Sequence, residues 1–174
     1  MKRDIQVWDY AGKILEEIGK GALLTVCADG KVNTMTIGWG TLGIEWGKPI
    51  CTVFVRESRY TKQLLDKNPE FTVNVPYGDS AKEILRVCGT KSGRDIDKFQ
   101  ELGLTQEEGK SVSVPGIRQL PLTLECKVIY RQDQDLDALC QESRARCYKT
   151  GTSDETDFHT AYYGEITAAY ILKD

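Results

Sequence analysis

The residues best equipped for chemistry are Arg56, Ser58, Arg59, Tyr60 and Thr61, where the apolar strand of ICTVFVRESRYTKQLL, residues 50–65, passes straight into an amphipathic helix. The first turn of a helix leaves backbone N–H groups unpaired and carries the positive end of the dipole. Arg forks and hydroxyls added there make a site for a phosphate. The same residues also fit a plain helix start with Ser58 as N-cap, since a Ser cap alone is worth about 1 kcal/mol. A second candidate is NTMTIGWG, residues 33–40. Asn33, Thr34, Met35 and Thr36 can offer N–H groups and hydroxyls to a flat polar ring, and Gly38 and Gly40 permit close approach to the main chain. Trp39 is either a wall of such a pocket or a core anchor at the strand end. Lys91 and Ser92 occupy a polar loop in CGTKSGRD, residues 88–95. His159 is the only histidine, hence the only side chain whose ordinary pKa lies near neutrality.

The elements that must position these residues belong to a chain of 174 residues, the size of one domain with a substantial core, so residues 1–174 are expected to form a single domain. A net charge of −3 with both signs interspersed points neither to nucleic acid nor to an anionic membrane. Six cysteines without a CxxC pair, and a lone histidine, do not make a zinc site, so no metal is expected. Cys27, Cys51 and Cys126 lie in apolar runs and read as packing thiols, as does Cys88 at a helix end. The first nine residues carry two basic residues and no apolar segment after them, and the longest apolar run, residues 22–28, is only strand length. A cytoplasmic protein is the expectation.

Apolar residues from Val7 to Ile18 recur at helical spacing and stop at Gly19 and Gly21. Residues 23–28 and 31–38 flank Asp29-Gly30, which favours a type I′ hairpin turn. A third strand covers residues 50–55, a helix 60–67 ends at Asn68-Pro69, and a fourth strand covers 71–75. Ser80 and Glu83 have capping-box spacing for a helix running to about Cys88. A short helix near 98–102 precedes a polar stretch, 103–119, that reads as a surface excursion. Residues 122–131 and 162–172 alternate as the last two strands. The pattern predicts a mainly β protein, a closed or nearly closed antiparallel barrel with short flanking helices, because closure removes exposed strand edges.

NTMTIGWG, VRESRYTKQLL, CGTKSGRD and FHTAYYGEI, in this order and spacing, resemble the flavin reductase and flavoredoxin-like family of FMN-binding split barrels. The resemblance covers roughly residues 23–172. It implies a six-stranded antiparallel split β-barrel of Greek-key type that forms a homodimer, with FMN bound non-covalently near the interface. The segment matching Arg56, Ser58, Arg59, Tyr60 and Thr61 then holds the FMN phosphate, and that matching Asn33, Thr34, Met35 and Thr36 runs beside the flavin. Trp39 lines the flavin pocket, with Lys91 and Ser92 approaching the ring. A cation there helps the flavin accept a hydride.

Related NADH:flavin oxidoreductases carry Gly-Asp-His near the C-terminus, followed five residues later by Gly. This chain keeps His159 and Gly164 but has Asp157-Phe158 where Gly-Asp is expected. The leading expectation is an FMN-dependent oxidoreductase that takes a hydride from NADH or NADPH, with His159 ordering the nicotinamide or relaying a proton. The departure before His159 keeps open a flavoredoxin-like electron-transfer protein with a redox protein partner. A non-redox ligand-binding barrel is the third reading.

Overall fold

The computed structural model describes residues 1–76, 81–148 and 157–172. Its elements, in chain order, are β1 (Lys2–Asp4), α1 (Val7–Lys20), β2 (Ala22–Ala28), β3 (Lys31–Ile37), β4 (Gly40–Glu45), β5 (Lys48–Arg56), α2 (Tyr60–Lys67), β6 (Glu70–Val75), α3 (Lys82–Thr90), α4 (Lys98–Leu102), β7 (Gln106–Glu107), β8 (Gly116–Ile117), β9 (Leu122–Asp133), α5 (Gln141–Cys147) and β10 (His159–Leu172). Among the described residues, no helix is long and apolar enough to cross a membrane.

One antiparallel sheet runs β3-β2-β6-β9-β10-β5-β4, with β1 added along β10. Its two end strands, β3 and β4, are not hydrogen-bonded to each other, yet only Gly38 and Trp39 separate them in the chain. So short a link requires the sheet to curl until its edges nearly meet, which yields a mainly β split barrel. The expected six strands are present, and β4 and β1 join them. β4 escaped the sequence pattern because its hairpin with β5 turns on Trp46-Gly47, both with positive φ (51° and 69°), a site where Asn or Asp usually precedes Gly. Asp29-Gly30 does take positive φ at both residues, joining β2 to β3.

Inside the curl, alternating Leu24, Val53, Phe71, Val73, Leu124 and Tyr162 make the main core, and α1 inserts Val7, Ile14 and Ile18. β10 bulges at Tyr163/Gly164. A Cβ on Gly164 would lie 2.5 Å from Phe71 Cζ, so the glycine that follows His159 by five residues is required for packing.

The stretch 103–119 is not a surface excursion. Ile117 and Leu120 join Leu23, Cys88, Phe99 and Leu104 in a second apolar cluster against the outer face of the sheet. Buried polar residues hold this cover in place: Asn74 Oδ1 accepts from the Ile117 N–H at 2.9 Å, and Thr72 Oγ1 donates to the Pro115 carbonyl at 2.8 Å. The Glu125 carboxylate accepts from the N–H groups of Lys110 and Ser111. Thr72, Asn74 and Glu125, polar strand residues on this face, are thus buried with their hydrogen bonds made. Ser80 of the expected capping box lies outside the described residues, and α3 begins at Lys82.

Candidate active site

Strand β5 ends at Arg56 and α2 begins at Tyr60, its N-cap being Arg59 rather than Ser58. Ser58 is occupied differently: its N–H and hydroxyl both donate to the Asp157 carboxylate, each at 2.8 Å. Arg56 also turns to that segment, donating to the carbonyls of Cys147 (2.9 Å) and Asp157 (3.3 Å) and lying over the Tyr148 ring. Its guanidinium is 3.8 Å from the Asp157 carboxylate. A side chain of the protein therefore satisfies part of the anion-binding capacity of this junction.

Helix α2 is held against the barrel by Asp66, which accepts from Tyr162 (2.6 Å), Arg131 (2.7 Å) and Lys62 (2.8 Å). On its cleft side, Thr61 is buried and accepts from the Asn33 side-chain amide at 2.9 Å, which ties the helix to β3. The loop after α3 closes over this contact. Arg94 donates to the Ser58 carbonyl at 3.1 Å and lies over the Tyr60 ring, while Ser92 Oγ accepts from the Arg94 N–H and shapes the turn. Gly93 is packed so tightly that an added Cβ would sit 2.0 Å from Asn33 Oδ1.

These elements enclose a cleft of about 190 Å³. Arg59, Lys91, Arg94 and Lys98 line it, with hydroxyls from Ser58, Thr61, Thr90 and Ser92, and among the described residues no carboxylate does. Lys98, the first residue of α4, is only 4% exposed. Its Nζ donates to the carbonyls of Thr34 (2.8 Å) and Cys88 (3.0 Å). Burial and the nearby Arg59 guanidinium draw its pKa below the ordinary lysine value. The Cys88 thiol at the cleft wall is pushed up to about 11 by burial, so it is a protonated packing group. All six cysteines are free thiols.

A second cleft of about 210 Å³ continues from the first through Met35, Thr36 and Arg59. Its character is different: Ile37, Trp39, Phe54 and His159 line it, together with Arg56. Trp39 is 45% exposed at the link between β3 and β4, so it is a pocket wall and not a core anchor. Its ring lies 4.8 Å from that of His159. His159 opens β10 directly opposite Arg56 in the β5 register. Tyr148 donates to Gln134 Oε1 at 2.9 Å and also meets His159 Nδ1. One hydroxyl proton cannot serve both bonds, so Nδ1 carries the imidazole proton and Nε2 is left as an acceptor. Burial, reinforced by Arg56, lowers the His159 pKa to about 4, and the ring is neutral at pH 7.

A family model described as the flavin reductase like domain matches residues 19–174. The chain belongs to the flavin reductase like family. An uncharacterised protein of Archaeoglobus fulgidus is 35% identical over 99 residues, 57% of this chain and 55% of that protein. The chain spans about half the length of the curated relatives it matches. Among solved structures, flavoredoxin from Methanosarcina acetivorans is similar at 26% identity and a TM-score of 0.66, covering 88% of this chain and 68% of that one. Flavoredoxin of Desulfovibrio vulgaris (Miyazaki F) shares the fold at 23% identity and a TM-score of 0.67, covering 88% and 69%.

In this member of the family, Asn33, Met35, Thr36, Trp39, Ser58, Arg59, Tyr60, Thr61, Lys91, Ser92 and His159 all line the two joined clefts, as does Arg56. Thr34 does not: its hydroxyl packs inward against Thr25, and the residue reaches the site only through the carbonyl that holds Lys98. Sequence reasoning missed Arg94, Lys98 and Tyr148. Arg94 was legible as a neighbour of Lys91 and Ser92 in one loop. Lys98 and Tyr148 gave no local signal, because a lysine opening a short helix and a tyrosine after another look solvated until tertiary contacts bury them.

Proposed function

We propose that this chain is a flavin-dependent oxidoreductase that holds FMN non-covalently in the groove made by the two clefts. The observation that carries this reading is the groove's polarity. A cationic, hydroxyl-rich end suits a phosphate dianion, and the adjoining end, walled by Trp39, Phe54 and Ile37, suits a flat ring. The family match and the 26%-identical flavoredoxin support it.

In this arrangement Arg59, Lys91 and Arg94 bind the phosphate, with Ser92 fixing the loop that presents two of them. Met35 and Thr36 span the joint between the two ends, and Trp39 bounds the ring. Bound FMN would supply acceptance of a hydride from NADH or NADPH and onward electron transfer. Neutral His159, held by Tyr148, presents Nε2 as a hydrogen-bond acceptor beside Trp39. The reading includes a homodimer with the flavin near its interface, which sedimentation at micromolar concentration tests.

The first experiment is titration of the flavin-free protein with FMN, followed by stopped-flow mixing of the complex with NADH and with NADPH. Saturable FMN binding and bleaching of the oxidised flavin band are expected. A protein that stays colourless and gives no response to FMN is instead a non-redox barrel. A second reading, a flavoredoxin-like electron-transfer protein with a protein partner, is favoured by one observation. Asp157, which precedes His159 by two residues, is committed to Ser58 and Arg56 and is not free to orient a nicotinamide. FMN that is bound, bleached by dithionite and unaffected by either nucleotide selects that reading.

A further inference from the structure

Helix α5 buries none of its own residues, yet its C-terminal end is fastened to the second cleft. The carbonyl of Cys147, the last residue of α5, accepts from Arg56 at 2.9 Å. Tyr148, next in the chain and buried, meets His159 Nδ1 through its hydroxyl and carries the Arg56 guanidinium over its ring. Two groups that line the cleft are thus held from the end of a loosely packed helix. A cysteine stands at each end of that helix: Cys140, the exposed N-cap, and Cys147, partly exposed. Seven residues apart, they share one helix face. Hydrogen bonds from Ser143 and from the Glu142 backbone draw the Cys140 pKa below the ordinary thiol value, which favours the nucleophilic thiolate. The other four thiols are less available. Cys51, Cys88 and Cys126 are buried, and burial raises the pKa of Cys27.

We propose that Cys140 and Cys147 form a thiol switch on the second cleft, in which a hydroperoxide joins them as a disulfide and so releases Arg56 and His159. The Cys140 thiolate attacks a peroxide oxygen: an S–O bond forms, the O–O bond breaks, and the leaving oxygen takes up a proton. The Cys147 thiol loses its proton and attacks the Cys140 sulfur, the S–S bond forms, and the oxygen on that sulfur leaves as water. The two sulfurs give up two electrons in all, and the peroxide receives them. An intact α5 cannot hold this bond. Seven residues at about 1.5 Å each set the two Cα atoms about 10.5 Å apart, and a disulfide needs about 7 Å or less. Oxidation therefore unwinds the helix, breaking the bonds from the Arg144 N–H to the Cys140 carbonyl (3.0 Å) and from the Tyr148 N–H to the Arg144 carbonyl (2.8 Å). Little packing opposes this, since α5 has no buried residue. Cys147 moves toward Cys140 and draws Tyr148 off His159. The switch acts on protein groups alone and holds whether or not a flavin binds.

The test treats flavin-free protein with hydrogen peroxide, then maps its peptides without reductant and records the long-range proton–nitrogen NMR spectrum of the imidazole. One histidine in the chain makes that spectrum a direct report on His159. The reduced protein is expected to show an Nδ1-protonated ring that titrates near pH 4. After peroxide, a Cys140–Cys147 cross-link should be found, with the His159 midpoint raised by about one pH unit or more toward 6.5, and dithiothreitol should reverse both changes. Cys140→Ser and Cys147→Ser, each close in size to the native side chain, should show neither change. A Cys140 found bonded to any other thiol, or to none, overturns the switch. So does a Cys140–Cys147 cross-link that leaves the His159 signals in place. A His159 shift of equal size in peroxide-treated Cys147→Ser also overturns it, since oxidation of Cys140 alone would then be the cause.

Discussion

Arg56 and Arg59 flank the same strand-to-helix junction and have opposite fates. Arg56 is spent on the protein: two carbonyls, the Tyr148 ring and the Asp157 carboxylate surround its guanidinium. Arg59 is exposed and borders both clefts. The first arginine therefore ties the segment before β10 to the end of β5, and the second offers its charge to a ligand. Two identical side chains near one helix start are told apart by what Cys147, Tyr148 and Asp157, distant in the chain and preceding β10, bring beside one of them.

The largest effect expected at the Arg56 end is a pH dependence of stability. The pKa of His159 is lowered to about 4 in the fold from an ordinary 6.5. The neutral ring is favoured, so the unfolded chain takes up the proton first as pH falls. The contribution is fully present above pH 6.5, is lost as pH falls from 6.5 toward 4, and totals about 3 kcal/mol. Denaturant melts of wild type and His159→Asn across this window should diverge accordingly. Parallel curves would mean that His159 is not held neutral by its surroundings.

Arg59→Ala should weaken FMN binding by about 1.5 to 3 kcal/mol, or roughly 10- to 150-fold, with little change in melting temperature. Calorimetric titration reads the first quantity and thermal denaturation the second. Gly93→Ala comes next. Its Cβ must displace the Asn33 side chain, which bonds Thr61, and a cost of about 1 to 3 kcal/mol in stability is expected, together with weaker FMN binding from a distorted cleft. The smallest effect is that of Arg56→Ala: a loss of about 1 to 2 kcal/mol in stability, with FMN affinity within about threefold of wild type. Should Arg56→Ala weaken FMN as much as Arg59→Ala does, the division of labour between the two arginines fails.

The extent to which all this was legible in the sequence differs from element to element. Helix α2 and the β2-β3 hairpin were visible because the signals are local: Asn68-Pro69 stops one and Asp29-Gly30 turns the other. The strand after Trp39 was hidden, since Trp46-Gly47 is an uncommon hairpin turn and β4 exposes most of its residues. The cover over the outer face was misread for a similar reason. Its polar residues, such as Ser111 and Ser113, bond to Glu125 and Glu70 across the fold, and nothing in their own neighbourhood shows it.

By itself the sequence determined a mainly β antiparallel barrel and a candidate site at a strand-to-helix junction, because periodicity and turn chemistry are encoded locally, while the split-barrel family came from the resemblance carried by four motifs in order. Only the tertiary structure decided which groups at that junction remain free. Asp157 occupies Ser58 and Arg56, the β3 and α3 carbonyls hold Lys98, and Tyr148 fixes the proton on His159. Each of these depends on partners far away in the chain, which turn ordinary surface residue types into groups with fixed partners and one direction of bonding.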